Sequence, residues 1–234
     1  MADMRKCFGL IFAVTLIALA LSVEARAGFR PNWSPGDSWQ VSVIYIRGER
    51  AGETWSEPEI WVYQVSEGSG KKGNTDLIIK IHLKMENAEP LMEVHLDRGT
   101  LAVTKKMVFR RAGEQKKPFE TEIPEIGVPV PTGFAPAPVD IPAFPLIPGQ
   151  VREFKYLKKV AGGLFTREVI RQDVKRVESP KENGSRVMEM EEDILEVTCT
   201  DGRGREIFTQ RWAEGTPWPL SGRNESMEYH LVRP

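Results

Sequence analysis

Cysteine is nearly missing from this 234-residue sequence, with two residues, and histidine is scarce, with three. Cys7 sits in an apolar N-terminal run, so Cys199 alone remains in the body of the chain. A lone thiol closes no internal disulfide, which excludes a stapled mini-domain. Cys199 reads as a small buried apolar residue rather than a nucleophile. Surplus charge is missing as well: 32 basic residues face 33 acidic ones, a net charge of −1. Neutralising phosphates takes a clear excess of Lys and Arg, so a polybasic nucleic-acid binder is excluded. The chain has no Gly-x-Ser-x-Gly elbow, no His-Glu-x-x-His pair and no phosphate loop. No catalytic residue is assigned from motifs, and neither a metal nor a cofactor is expected.

What is present begins with an export pattern. Arg5 and Lys6 precede an apolar run from Phe8 to Val23, and Ala25-Arg26-Ala27 follows with small residues around a cleavage point. The run is shorter than the roughly 20 residues a spanning helix needs. Cys7 opens the run, whereas a bacterial lipoprotein carries its cysteine at the end of it. Residues 1–27 are therefore read as a signal peptide and 28–234 as one β-rich domain, periplasmic or extracellular after cleavage near Ala27. With 41% hydrophobic and 28% charged residues, that body is too apolar for disorder and too polar for a polytopic membrane protein. At this length hydrophobic burial alone supports a fold.

Period-two patterning dominates the body. From Thr75 to Met85, Leu77, Ile79, Ile81, Leu83 and Met85 share one parity while Lys80, His82 and Lys84 share the other. Met92, Val94 and Leu96 alternate with Glu93, His95 and Asp97 in the same way. Both read as half-buried strands. Joined by a four-residue turn at Asn87–Pro90, they predict a hairpin with Lys84 opposite Glu93, His82 opposite His95 and Leu83 opposite Val94. Further strands are expected at Ser38–Ile46, Glu59–Ser66, Leu101–Arg110, Val151–Val160, Arg186–Thr200, Arg205–Trp212 and Ser226–Val232. Tight turns are expected at Asp97-Arg98-Gly99 and Asp201–Gly204. A bulge near Glu192-Asp193 would bring Met188 and Met190 onto the face of Leu195, Val197 and Cys199. Leu164–Val177 suits either a helix or a strand, and its β-branched residues favour the strand. The fold class that follows is mostly β: a curved antiparallel sheet, a half-barrel or partly closed barrel.

Pro118–Pro148 breaks the alternation. It holds nine of the 17 prolines, which excludes a helix or a central strand. It is also apolar, through Ile123, Ile126, Val128, Val130, Phe134, Val139, Ile141, Phe144, Leu146 and Ile147. Two roles stay open: a long loop packed across the sheet, or a mobile cover over a ligand cavity or docking strip.

Candidate chemistry is thin. In the hairpin register above, His82 and His95 would stand side by side near Glu93, two imidazoles and a carboxylate, but Lys80 and Lys84 would flank any ion and a solvated face is the simpler reading. Glu191-Glu192-Asp193 alternates across a strand and reads as solvation rather than acid–base machinery. Six tryptophans are the other resource. Trp39, Trp61, Trp212 and Trp218, with Phe134 and Phe144 of the proline-rich segment, are the candidate ligand-binding residues, because indoles at a barrel mouth suit a hydrophobic ligand. Thr216-Pro217-Trp218-Pro219-Leu220 reads as a rigid turn that exposes Trp218. Asn32-Trp33-Ser34, Asn183-Gly184-Ser185 and Asn224-Glu225-Ser226 match the N-glycosylation triplet.

The stretch Ser34-Pro35-Gly36-Asp37-Ser38-Trp39-Gln40-Val41, the late Asp201-Gly202 hairpin and Trp212 resemble exported bacterial β-rich half-barrels of the LolA/LolB lipoprotein-carrier superfamily and their periplasmic relatives. The resemblance implies a curved antiparallel sheet whose apolar concave face shelters acyl chains. The expected function is a non-enzymatic binding or carrier module for a hydrophobic ligand such as a lipid. The alternative is an envelope structural or assembly module that contacts a protein partner through the proline-rich strip. Either is at most peripheral to a membrane and has no nucleic-acid partner.

Overall fold

The computed structural model describes residues 28–47, 54–69, 75–85, 88–112, 115–121, 125–133, 135–159, 164–178 and 193–232. The expected leader, the bulge near Glu192, Asn183 and Phe134 lie outside the described residues. Among the described residues there is no helix. Thirteen strands form: β1 Ser38–Arg47, β2 Thr54–Trp55, β3 Glu59–Ser69, β4 Thr75–Leu83, β5 Met92–Leu96, β6 Val103–Ala112 and β7 Gln115–Thr121, then β8 Val151–Lys159, β9 Phe165–Val177, β10 Ile194–Asp201, β11 Glu206–Ala213, β12 Ser221–Asn224 and β13 Met227–Val232.

The alternation in sequence is the alternation in space. In β5, Met92, Val94 and Leu96 are buried while Glu93 and His95 lie half-exposed between them. Residues 165–177 form the strand β9, as their β-branched content favours. Two expectations shift for local reasons. Asp97 accepts hydrogen bonds from the Thr100 N–H and hydroxyl, at 2.7 Å each. Leu101 then takes a left-handed backbone, φ 58°, so β6 begins at Val103 rather than Leu101. The β4–β5 hairpin is paired four residues away from the predicted register. Lys80 faces Glu93, Ile79 faces Val94 and Ile78 faces His95. The connection is longer than the predicted turn: Lys84 N–H still continues the ladder to β3 by donating to Ile60 O, and the chain returns to β4 only where Leu91 N–H donates to Ile81 O. An even slip preserves which face each side chain occupies.

All the ladders are antiparallel, and twelve strands run in the order β7-β6-β5-β4-β3-β1-β13-β12-β11-β10-β9-β8, with β2 attached to β1. The sheet is therefore two meanders joined where β1 pairs with β13, and its ends, β7 and β8, leave it open rather than closed into a barrel. β7 contains Pro118, which an edge strand tolerates because one side of its backbone has no partner.

Those two edges are consecutive in sequence, and the chain between them, described over residues 125–133 and 135–150, returns across the concave face as a strap. Its contacts run from the β6 side of the sheet to the β9 side. Lys106 of β6 donates to Pro131 O and Thr132 O at 2.9 and 3.0 Å. Tyr45 of β1 and Tyr63 of β3 donate to Pro136 O and Pro138 O, both at 2.7 Å. Gln210 of β11 donates to Asp140 O at 2.7 Å, and Gln172 of β9 pairs reciprocally with Ala143 at 2.8 and 2.9 Å. Val130, Ala137, Val139, Ile141 and Leu146 join Val41, Tyr63, Ile79, Val94, Val197 and Phe208 in one continuous buried cluster. The proline-rich segment is thus the second layer of the core.

Candidate functional site

The strap brings together most of the aromatics that the sequence singles out. Trp39 stands 5.6 Å from Trp218, Trp218 stands 6.2 Å from Trp212, and Phe144 meets Trp212 edge-on at 5.6 Å. Trp33, Tyr63 and Phe29 complete the cluster, with Trp33 6.0 Å and Tyr63 5.0 Å from Trp218 and Phe29 5.7 Å from Trp212. These rings come from β1, β3, β11, the strap and the segments before β1 and after β11, so the sheet curves enough for β3 and β11 to share a neighbour. Trp61 stands apart and donates from Nε1 to Tyr45 Oη at 3.0 Å. The expectation that the Pro217–Pro219 turn exposes Trp218 is corrected: its ring is inserted among four others and is 1% exposed. Phe29, Trp33 and Tyr63 are members that sequence reasoning does not select. Tyr63 shares the inward parity of Trp61 and Val65, the one signal that points to it.

The cluster borders a cleft of about 1250 Å³ at the end of the sheet where the strap departs. Trp39, Phe29, Leu195, Ile147 and Pro217 give it apolar walls, and Arg30, Arg176, Asp37, Asp193 and Glu214 stand around it. Arg176 is paired with Asp193 at 3.5 Å, and Arg30 donates to Gly99 O and Arg98 O at 2.6 and 2.8 Å. Trp33 Nε1 donates to Pro217 O at 2.6 Å. Among the described residues, Trp39 Nε1 and Trp218 Nε1 are buried without an acceptor. An orphaned buried donor costs about 1–3 kcal/mol, which the aromatic packing around the two indoles offsets; of the two, Trp39 lines the cleft and Trp218 does not.

A second constellation lies under the strap. Asp140, 1% exposed, accepts from the Thr132 N–H, from Asn224 Nδ2 at 2.9 Å and from Tyr229 Oη at 3.4 Å. Burial pushes its carboxyl above the usual range, against the pull of those donors and of Lys106. Burial also lowers the Lys106 ammonium to about 8, with Asp140 opposing the shift. Tyr63, Tyr229 and the Cys199 thiol are all raised, chiefly by burial. Asp140 belongs to the strap and Lys106, Tyr63 and Tyr229 bond to it, while Cys199 meets Gln172 of β9, and all of them are buried.

The other candidates raised by the sequence separate in space. His82 hydrogen-bonds Leu83 O at 2.9 Å, while His95 lies 3.5 Å from Glu93 on its own strand. The predicted His82–His95 neighbourhood does not form, and among the described residues no group of three His, Cys, Asp or Glu is placed to hold a metal. Asn224 is committed at both ends: Oδ1 accepts from Ser226 and Met227, and Nδ2 donates to Asp140. A glycan there would break that lattice. Comparison with family models, with curated proteins and with solved structures found no match.

Proposed function

We propose that this protein is an exported, non-enzymatic binding or carrier module for an apolar or amphipathic ligand such as a lipid, held in the cleft beside Trp39. The observation that carries the reading is the cleft itself, whose volume of about 1250 Å³ is ample for a lipid-sized molecule. Its walls join the aromatic cluster on one side and solvent on the other. Export rests on Arg5, Lys6, the apolar run and Ala25-Arg26-Ala27. The strap's part in this reading is to shape the cleft with Ile147 and Pro148 at its end, since its middle is committed to the core.

The alternative, an assembly module docking a protein on the proline-rich strip, draws less support. Val128, Val130, Ala137, Val139, Ile141 and Leu146 are buried, which leaves Phe119 and Ile126 as the large exposed apolar side chains among the strip's described residues. The test is native mass spectrometry of the protein purified from its own exported fraction, followed by solvent extraction. A bound lipid that disappears in Ser38→Trp, a substitution filling the cleft from its exposed rim, is the expected result. Bare protein, or a ligand retained by Ser38→Trp, overturns the assignment.

A further inference from the structure

The β8–β9 hairpin carries surface that the core does not use. Phe154, Ile170, Gln172 and Val174 face the strap and are buried or half-buried. Beyond Tyr156, where Leu157 pairs with Arg167 and Lys158 with Thr166, the ribbon is exposed on both faces. Three large apolar side chains stand there in the open: Leu157 at 59%, Leu164 at 69% and Phe165 at 63% exposure. Two-stranded ribbons gain little from exposing such residues, and a stable fold has no need of them.

The charge at this end is equally one-sided. Between positions 155 and 167 the sequence contains Lys155, Lys158, Lys159 and Arg167 and no acidic residue, and the acids that flank this stretch, Glu153, which pairs with Lys155 at 3.2 Å, and Glu168, opposite Tyr156, lie toward the body of the sheet. Lysines on an edge strand are a common guard against edge-to-edge pairing. That role accounts for Lys155 and Lys158 and leaves Leu164 and Phe165 unexplained, because greasy tips invite the association that the lysines repel. An anionic bilayer resolves the contradiction. Apolar side chains at the far end enter the headgroup region while the cations behind them meet lipid phosphates, and Tyr156 suits the interface between the two. A protein partner would have to be both apolar and acidic over the same small area.

We infer that the exposed end of the β8–β9 hairpin, formed by Leu157, Lys158, Leu164, Phe165 and Arg167, docks the protein on a membrane surface rich in anionic lipid. The surface is separate from the cleft beside Trp39 and stands whether or not that cleft holds a ligand.

The test reads the hairpin locally, so that the apolar N-terminal run does not confuse it. In a Cys7→Ser background, Thr166→Cys takes an environment-sensitive fluorophore, since Cys199 is fully buried. Vesicles of phosphatidylcholine with about one third phosphatidylglycerol should shift the emission to the blue, and pure phosphatidylcholine vesicles should not. Lys158→Gln with Arg167→Gln should weaken the apparent vesicle affinity roughly thirtyfold, and high salt should do the same. Leu164→Ser with Phe165→Ser should abolish the blue shift while leaving the melting curve unchanged, because neither side chain touches the core. Equal response to neutral and anionic vesicles, or retention of binding by both double variants, overturns the inference. So does a blue shift that appears without vesicles and grows with protein concentration, which would mark the tip as a contact between copies of this chain.

Discussion

Asp140→Ala and Asp140→Asn together test the claim that the strap is core. The alanine variant strips acceptors from the buried Thr132 N–H and the half-buried Asn224 Nδ2, and removes the acceptor of the longer bond from Tyr229. Each stranded donor costs about 1–3 kcal/mol, and relief from burying a carboxylate offsets part of the loss, so a net cost of about 3 kcal/mol is expected. For a domain of this size that lowers the melting temperature by roughly 6–12 °C. Asp140→Asn imitates the protonated carboxyl, and here pH supplies the sign. Burial raises the folded-state pKa of Asp140 above its ordinary 3.8. The protonated acid is therefore the form that folding favours, and its contribution is full below the unfolded pKa and fades as pH rises through the folded one. Relative to Asp140→Asn, the wild type should accordingly lose stability as pH climbs from about 4 toward neutrality. Thermal melts followed by tryptophan fluorescence, at several pH values across that window, measure both effects. If Asp140→Ala melts with the wild type, the strap is not anchored here. If the wild type instead gains on Asp140→Asn with rising pH, the three donors hold the carboxylate charged and the assigned direction is wrong.

Lys106 carries the opposite slope: with its ammonium lowered to about 8 by burial, the unfolded chain binds the proton that the folded chain has released, and stability should rise from about pH 8 toward 10. Urea midpoints at the two ends of that interval should differ in the wild type and converge in Lys106→Met. Gly222 faces Tyr229 across β12 and β13, and a Cβ there would run into the Tyr229 ring and hydroxyl. Gly222→Ala should therefore displace the ring that donates to Asp140 and cost about 2–4 kcal/mol, read as a shift of the unfolding transition. Cys199, fully buried and with its thiol raised by that burial, should ignore a disulfide reagent in the native Cys7→Ser protein and react only on unfolding. Rapid native labelling would show that β10 opens.

Much of the sheet was legible because a half-buried strand writes its environment with period two. Leu77, Ile79 and Ile81 against Lys80 and His82 declare a face, and the structure buries the first three. Register is a weaker message. Glu93 finds a lysine at position 84 or at position 80, and both pairings keep Leu77, Ile79 and Ile81 on one face with Met92, Val94 and Leu96, so alternation alone could not choose between them. The choice lies in the length of the connection, which returns at the Leu91–Ile81 backbone hydrogen bond. The aromatic cluster was partly legible. Trp39, Trp212, Trp218 and Phe144 are singled out by type and position, but their meeting in one buried cluster is not, and Phe29 and Trp33 lie in an irregular segment whose course depends on tertiary contacts. Phe29 is placed by a two-bond bridge to Leu146, a residue 117 positions away.

The strap explains the residues that violate the pattern. Tyr45, Tyr63, Lys106, Gln172, Gln210 and Tyr229 set polar atoms on the inward side of a sheet whose inward positions are mostly apolar. Buried polar groups must be paired, and a sheet packed on another sheet or on helices would offer them few free partners. A proline-rich segment offers many. Its prolines carry no N–H, so a chain without strand neighbours can be buried with fewer donors to satisfy, and its carbonyls remain available. Pro131, Pro136 and Pro138 each give their oxygen to one of those inward side chains. The two anomalies in the sequence, prolines where a core should be and polar groups where apolar ones should be, are therefore halves of one interface. Replacing Tyr63 by phenylalanine severs one such join, leaving Pro138 O buried and unpaired, and should cost about 1–2 kcal/mol in chemical denaturation. A neutral result would mean that the strap is held by its apolar side chains alone, and the pairing argument for its prolines would fall.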